Sequence, residues 1–455
     1  ALVSRRAQML ATFSVSATVL SGIAWVAWQA GAVLPMATGY IAKTMCSETF
    51  VAGRRNPEQI WSDIQDIDSL FGWASYEVDA STRRASGTAV FGLWETTAVY
   101  REGLGCTIAR GIDPDQLEPL PAGRTTTPTA LPLASKTNPE LEAALDKAFS
   151  EPSPDSHRMT RAIIVLHHGR IGAERYAAGI DQNTPLIGWS MPKSITNNLI
   201  GLLIGDGLLQ LDQTAPVPEW QEEDDPRAGI TLAQLLQMSS GLDFEEVYAP
   251  GSDATNMLFA SFSAAERAAA APLAHEPGAH WYYSSGTSNI LARIVLDTLG
   301  GSLEKTRTFT RERLLEPLGI TSMVIEPDAS GALVGSSFSY ATARDWARLG
   351  QFWLQKGTWN GAHLLPEGWM EWSTTPAPAA PKGEYGAQFW LNAGRNGRHH
   401  NFPGLPGNMF FAHGFNSQIV AVFPDEEAVV VRLGFTTDDS WNDSEFLLEV
   451  LAALD

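Results

Sequence analysis

The sequence predicts an α+β fold in which strands from both ends of one domain form a single antiparallel sheet, with a helical lobe inserted between them. Two strand-like stretches come early in this domain, at 162–169 (AIIVLHHG) and 174–179, and two more come late, at 419–424 and 428–434 (AVVVRLG). A helical pattern at 442–453 follows them, and helical stretches such as SITNNLIGLLIGDG lie between the two strand pairs. Strands at both ends with helices between them favour a sheet that is closed by the two ends of the domain.

Composition and charge agree with a globular protein. Of the 455 residues, 44% are hydrophobic and 18% are charged, which is ample material for a core. The formal net charge is −20, and an acidic surface repels phosphate backbones, so we expect no nucleic-acid partner. The sequence has no glycine-rich phosphate loop, and Pro277-Gly278 would break a zinc-binding helix between His275 and His280. We therefore predict neither a metal site nor a cofactor.

The N-terminus carries a candidate membrane segment. Residues 7–42 contain no charged side chain, and 9–28 is long enough to cross a bilayer, which takes about 20 residues. Ala30-Gly31-Ala32 resembles a signal cleavage site, whereas the length of the apolar run favours a retained anchor. Arg5 and Arg6 should remain in the cytoplasm. We expect residues 1–42 to hold the protein in a bacterial inner membrane, with the catalytic domain in the periplasm and a membrane protein as a candidate partner.

The remainder divides into three predicted parts. Residues 43–115 form a small β-rich ancillary unit with alternating stretches such as ASYEVDA and TTAVYRE, 116–137 is a linker rich in Pro, Thr and Ala, and 138–455 is the main domain. The chain has two cysteines, Cys46 and Cys106. A disulfide between them is expected if this unit is exported to an oxidising compartment, and two buried free thiols are the alternative.

Catalytic chemistry is indicated by Ser190-Met191-Pro192-Lys193. An apolar helical pattern follows, and Pro192 suits its first turn, so Ser190 should lie at the helix N-terminus with Lys193 one turn along on the same face. A serine hydroxyl needs an adjacent base to act as a nucleophile. A lysine can be that base only when it is neutral, so burial must lower its pKa. A second such spacing, from Ser302 to Lys305, follows two glycines and is predicted to be a helix cap.

Two further elements complete a candidate site. Tyr283, in the loop segment HWYYSSG before a helical stretch, can share the proton transfer with Lys193, unless it is an ordinary core tyrosine. The segment AHGFNSQ at 412–418 leads into a strand, whose edge could offer a backbone N–H to the acyl oxygen. Together with the N–H of Ser190, this donor would form an oxyanion hole.

These three elements, in this order, resemble the motifs of the class C β-lactamase-like (penicillin-recognising) serine hydrolases. Segments such as ITLAQLLQMSSGLDF, PGAHWYYSSGTSNILA and YATARDWARLG are also similar to that superfamily, and most similar to its branch containing the aminohexanoate-dimer (nylon-oligomer) hydrolase. The likeness runs from about residue 40 to 435. It implies a β-lactamase/transpeptidase-like fold and a serine hydrolase that forms an acyl-enzyme with an amide or ester.

The resemblance also implies residue roles. Ser190 would be the nucleophile, Lys193 the base and Tyr283 the relay to the leaving group, while Phe415 would supply the second oxyanion N–H. The predicted substrate contacts are Tyr248, Ser285, His413 and Asn416. The third motif departs from the family pattern, because it lacks the expected final glycine in either register and has no lysine at Ala412, where enzymes that process penicillins commonly carry one.

Two other readings stay open on the sequence alone. The chain could be a catalytically idle homologue that serves as a subunit or binding module of a membrane complex, which the altered third motif would suit. An α/β-hydrolase would need the pattern G-x-S-x-G, and Gly188-Trp189-Ser190-Met191-Pro192 fails at its last position.

Overall fold

The structure is a computed structural model that describes residues 31, 33–121, 130–222, 224–395 and 401–454. The predicted membrane segment, 9–28, lies outside the described residues, as does 122–129 of the predicted linker. Within the described ranges, none of the helices combines the length and apolar character needed to cross a membrane.

The α-helices and strands follow the predicted order. The α-helices are α1 (33–50), α2 (Pro57–Ile67), α3 (Pro139–Phe149), α4 (Pro192–Gly205), α5 (Leu232–Leu236), α6 (Asp253–Ala260), α7 (Ala264–Ala269), α8 (Ser285–Thr298), α9 (Leu303–Thr310), α10 (Ala343–Leu354), α11 (Trp369–Ser373) and α12 (Asp443–Leu454). The strands are β1 (Ala74–Asp79), β2 (Arg84–Ala89), β3 (Trp94–Arg101), β4 (Gly105–Ile108), β5 (Thr160–His167), β6 (Arg170–Tyr176), β7 (Leu186–Ile187), β8 (Val324–Ile325), β9 (Ser339–Ala341), β10 (Thr358–Trp359), β11 (Ala362–His363), β12 (Trp390–Leu391), β13 (Phe410–Gly414), β14 (Gln418–Phe423) and β15 (Ala428–Gly434).

The main sheet joins the two ends of the large domain, as predicted. Its strand order is β12-β13-β14-β15-β5-β6, and the described pairs are antiparallel. The central pair aligns Val431 of β15 with Ile164 of β5. Both strands are buried on both faces, which explains why they are continuous apolar runs rather than alternating ones.

Helices cover both faces of this sheet. On one face, α3 and α12 pack against each other and against the sheet around Leu145, Phe423 and Leu447. On the other face, α10 lies across β14, β15 and β5, and the helical lobe with α4 and α8 continues the same core.

The ancillary unit is a four-stranded antiparallel sheet in the order β1-β2-β3-β4, as the alternating pattern predicted. Helix α1 lies along it: the hydroxyls of Thr38 and Thr96 are 2.7 Å apart near one end, and Cys46 forms a disulfide with Cys106 near the other. The predicted pairing of the two cysteines is therefore present. Gly87 allows the close approach, because a Cβ there would lie 2.4 Å from the carbonyl oxygen of Thr38.

One predicted boundary, at residue 42, falls inside a helix. Residues 33–42, assigned from sequence to the membrane anchor, form the first part of α1, and its side chains Ile41 and Met45 are fully buried. A charge-free stretch suits the buried side of a core helix as well as a membrane helix. The helix also joins the two units: Lys43 forms a buried ion pair with Glu326, at 2.6 Å.

Candidate active site

Ser190 lies two residues before α4. The helix begins at Pro192, as predicted, and the N–H of Lys193 donates to the carbonyl of Ser190 at 3.2 Å. Trp189 has a left-handed backbone (φ 47°), which is unusual for a bulky residue and marks a locally constrained turn. The turn leaves Ser190 partly exposed, whereas Lys193 is only 2% exposed.

The ammonium group of Lys193 is surrounded by oxygens. Its Nζ lies 3.0 Å from Ser190 Oγ, 3.0 Å from Ser285 Oγ and 2.9 Å from the carbonyl oxygen of Ser336. Burial lowers the pKa of Lys193 to about 8, against the opposing effect of the negative charge of Glu246. A substantial fraction of Lys193 is therefore neutral near neutral or mildly alkaline pH, as a base for Ser190 must be.

Tyr283, in the loop before α8, lies next to the ammonium group of Lys193. Lys193 Nζ lies 4.9 Å from the centre of its ring, which stacks on Trp390 with the ring centres 5.1 Å apart. Burial raises the pKa of Tyr283 well above its usual value, and its hydrogen-bonding interaction with Ser190 only partly opposes this. The phenol is thus held protonated, next to the nucleophile. Its neighbour Tyr282 is 41% exposed and accepts a hydrogen bond from the backbone of Glu246.

The end of β13 lies directly against Ser190. A Cβ on Gly414 would come within 2.2 Å of the carbonyl oxygen of Gly188 and 3.1 Å of the backbone nitrogen of Ser190. Only glycine permits this approach, so Gly414 is the close-contact glycine of the third motif. Phe415 follows it at the start of the turn to β14.

Three predicted substrate contacts have other partners. Ser285 is fully buried, and its hydroxyl lies between Lys193 and Glu246. His413 points to the opposite face of the sheet, because side chains alternate along β13, and its Nε2 is 3.1 Å from Asp443. Asn416 is 6% exposed, and its backbone carbonyl accepts from Arg432 at 3.0 Å, whereas its side-chain amide has no hydrogen-bond partner among the described residues. Direct substrate contact by these three residues stays a prediction.

Tyr248 and Glu246 approach the site from the loop after α5. The hydroxyl of Tyr248 is 3.0 Å from Glu246 Oε1 and 3.2 Å from Ser285 Oγ. From the sequence, Glu246 is predicted only as a member of the acidic run Asp243, Glu245 and Glu246, which could suit a substrate ammonium group. The signal was the acidic run beside Tyr248, but it could not show that Glu246, rather than Asp243 or Glu245, turns inward.

An aromatic rim surrounds the mouth of the site. The ring of Phe415 meets Trp189 edge-on, with the centres 5.7 Å apart, and stacks on Tyr248 at 6.2 Å. Phe415 and Tyr248 are each 47% exposed. Half-exposed aromatic rings next to a nucleophile provide an apolar surface for an acyl group.

The other Ser-x-x-Lys spacing is a helix cap, as predicted. Ser302 precedes α9, and its hydroxyl accepts from the N–H of Lys305 at 3.3 Å.

Comparison with known proteins identifies the family of the main domain. The family model described as Beta-lactamase matches residues 145–454, which is more than half of the chain. The chain belongs to the Beta-lactamase family. The match covers the main domain from α3 to α12, and the α+β fold and the family resemblance predicted from sequence are confirmed.

Individual members of this Beta-lactamase family extend the comparison. The chain is 25% identical over 346 residues to a 6-aminohexanoate-dimer hydrolase of Paenarthrobacter ureafaciens, covering 70% of this chain and 82% of that protein. A Bacillus anthracis structure named as a candidate 6-aminohexanoate-dimer hydrolase has 21% identity and a TM-score of 0.55, covering 72% and 86%. A family VIII carboxylesterase has 14% identity and a TM-score of 0.54, covering 70% and 97%. The named relatives are hydrolases, so the predicted enzyme class, a β-lactamase-related serine hydrolase, is confirmed.

Proposed function

We propose that this protein hydrolyses an amide or ester through an acyl-enzyme on Ser190, with Lys193 and Tyr283 moving the protons. The observation that carries the proposal is the position of a buried lysine nitrogen 3.0 Å from a partly exposed serine hydroxyl. A structural lysine would gain nothing from a lowered pKa, whereas a base requires one.

The proposed steps follow from the contacts. Ser190 Oγ attacks the substrate carbonyl carbon and gives its proton to neutral Lys193. The backbone N–H groups of Ser190 and Phe415 stabilise the oxyanion. Tyr283 protonates the leaving amine or alcohol and takes a proton back from Lys193, which restores both groups. Water then attacks the ester by the reverse proton path and releases the acid.

The pH profile should report Lys193. Because the base must be neutral, kcat/KM is expected to rise with pH and to level off above the lysine pKa of about 8. Tyr283 stays protonated through this range because burial raises its pKa. Initial rates with a p-nitrophenyl ester, corrected for spontaneous hydrolysis, measure the profile. A rate that falls as pH rises from 6 to 9 would contradict a lysine base.

Covalent labelling separates this function from a binding role. A fluorophosphonate probe phosphonylates an activated serine but not an ordinary one, so peptide mapping should place the adduct on Ser190. The matched control is Ser302, which has the same Ser-x-x-Lys spacing but caps α9. Absence of labelling at both serines in folded protein would favour the idle homologue that acts as a binding module.

The substrate should be a neutral or amine-bearing acyl compound rather than a β-lactam. Position 412, where penicillin-processing relatives commonly carry a lysine, is a buried alanine, and the rim of Trp189, Phe415 and Tyr248 is aromatic. We therefore expect kcat/KM for a p-nitrophenyl ester or a linear amide with a free amine to exceed that for nitrocefin. Fastest turnover of nitrocefin among the three would contradict this expectation.

We also propose a cellular location. The charge-free run at 9–28 and the Cys46–Cys106 disulfide support a membrane-held protein whose folded part lies in the periplasm. Carbonate extraction and protease access on spheroplasts would test this placement.

A further inference from the structure

Glu246 belongs to no motif of the predicted site, yet its carboxylate accepts three hydrogen bonds there. Oε2 accepts from the backbone N–H of Ser285 at 2.7 Å, and Oε1 accepts from the hydroxyls of Ser285 and Tyr248. A carboxylate with both oxygens occupied in this way is a fixed acceptor.

These contacts determine which way the Ser285 hydroxyl points. Its hydrogen is directed to Glu246, so towards Lys193 its oxygen can only accept. The third neighbour, the carbonyl of Ser336, can also only accept. A neutral amine has two hydrogens and one lone pair. When neutral Lys193 donates its two hydrogens to Ser285 Oγ and the carbonyl oxygen of Ser336, its lone pair faces Ser190 Oγ, which lies 3.0 Å from Nζ.

We propose that Glu246 is a positioning residue that, through the Ser285 hydroxyl, orients the lone pair of Lys193 towards Ser190. This inference rests on the proposed function. Among the described residues around Lys193, the titratable groups are Glu246, Tyr248 and Tyr283. Desolvation around the hydroxyl raises the pKa of both tyrosines, including Tyr248, whose side chain is otherwise half-exposed, so both stay neutral, and Glu246 supplies the charge.

The charge of Glu246 has a second, separable effect. It favours protonated Lys193 and so raises the lysine pKa, in opposition to burial. Glu246→Gln removes the charge and one acceptor. The part of the pH profile in which kcat/KM rises with pH, the acid limb, should then move to lower pH. The plateau value of kcat/KM should fall by about tenfold to a hundredfold, because the base is misaligned. A purely structural residue would lower activity without moving the limb.

Three further variants make the test specific. Ser285→Ala should lower the plateau by a similar factor and leave the limb close to its wild-type position, since the Glu246 charge remains. Glu246→Asp should also keep the limb and lower the plateau, because the shorter side chain loses its reach. Glu245→Gln, the exposed neighbour, is the matched control and should change neither.

The outcomes are distinct. An active wild-type enzyme whose profile is unchanged by Glu246→Gln overturns this proposal and leaves the function standing. A wild type with no turnover and no fluorophosphonate labelling overturns the proposed function instead. Thermal unfolding of each variant shows whether lost activity comes from lost fold.

A separate observation concerns the ancillary unit, which presents an apolar tip. The turn from β2 to β3 and the residue before β1 lie at the same end of the small sheet, because Ala74 pairs with Ala89 and Ala89 with Trp94. The exposed fractions there are 87% for Trp73, 39% for Val90, 106% for Phe91 and 74% for Leu93. Neighbouring large apolar side chains this exposed mark an interaction surface.

The course of α1 indicates what this tip meets. Thr38, near the start of α1, contacts Thr96, near the start of β3, whereas Cys46 is bonded to Cys106 towards the opposite end of the sheet. The chain therefore enters α1 at the apolar tip. The segment 9–28, predicted from sequence to enter a membrane, precedes this point by only a few residues.

The structure points to the surface of a lipid bilayer as the partner of the apolar tip. Tryptophan and phenylalanine suit the membrane interface, and a net charge of −20 gives no electrostatic attraction to anionic lipid, so the contact would be apolar.

A fluorescent label tests the contact in the full chain. Phe91→Cys and Glu102→Cys, the latter in the turn at the far end of the small sheet, are each labelled with an environment-sensitive dye and mixed with phosphatidylcholine vesicles. The emission at position 91 should shift to the blue and be quenched by doxyl-labelled lipid, and that at 102 should not change. Equal responses, or failure of the protein to sediment with vesicles, would overturn the proposal. A response seen only in native membranes would assign the tip to a protein partner and also overturn it.

Discussion

Ser190→Ala and Lys193→Ala are each expected to abolish hydrolysis while the fold stays intact. Ser190 supplies the bond-forming oxygen, and Lys193 is the group within 3.0 Å that can take its proton. Members of such a unit are strongly non-additive, and loss of one costs nearly as much as loss of all, on the order of 10⁶-fold in kcat. Turnover of a p-nitrophenyl ester, with circular dichroism to check the fold, is the measurement.

The double variant sharpens this expectation. If the two residues act as one unit, Ser190→Ala with Lys193→Ala should be no slower than either single variant. Wild-type turnover by purified Ser190→Ala would exclude the acyl-enzyme mechanism. Because Lys193 is buried, Lys193→Met, which preserves side-chain volume, distinguishes loss of the base from collapse of the site.

Tyr283→Phe should slow acylation by about two to four orders of magnitude, the usual contribution of a general acid–base group. The ring contacts with Trp390 and Tyr385 need no hydroxyl, so the packing should survive. Pre-steady-state release of p-nitrophenol measures acylation directly. An amide substrate should be affected more than an activated ester, because an amine leaving group depends more on protonation.

Tyr282→Phe is the matched control, since the two tyrosines are adjacent in sequence. Tyr282 is 41% exposed, and its hydroxyl contacts the backbone of Glu246. We expect the Tyr282→Phe variant to be acylated at nearly the wild-type rate. A large effect at Tyr282 with none at Tyr283 would mean that the proton relay has been assigned to the wrong residue.

Local chemistry made much of the site predictable. Ser190 and Lys193 are three residues apart around a proline that begins a helix, so their proximity follows from helical geometry. The sheet was predictable because β5 and β15 are apolar runs long enough to be recognised as strands. Similarly, Ser302 follows a glycine pair and precedes a helical stretch, which is the pattern of a cap.

The remaining features depend on which side chain faces where after folding. His413 and Gly414 are adjacent, yet alternation along β13 turns His413 towards Asp443 while Gly414 meets the Ser190 turn. Glu245 and Glu246 are adjacent residues of the same type, so the sequence does not show which of the two side chains faces the site. The anchor boundary raises a related point: a charge-free run fits both lipid and a protein core, and the burial of Ile41 is a property that only the folded structure shows.

The junction of β5 with β15 has a consequence for how the protein is made. Arg432 contacts Thr160 and the carbonyl of Arg158 across 272 and 274 residues of chain. During synthesis or secretion, β5 therefore cannot pair with β15 until nearly the whole polypeptide has emerged. Contacts so distant in sequence slow folding and prolong exposure of aggregation-prone strands. We expect the nascent chain to depend on holding chaperones, and release from the ribosome or translocon to precede the first active molecule.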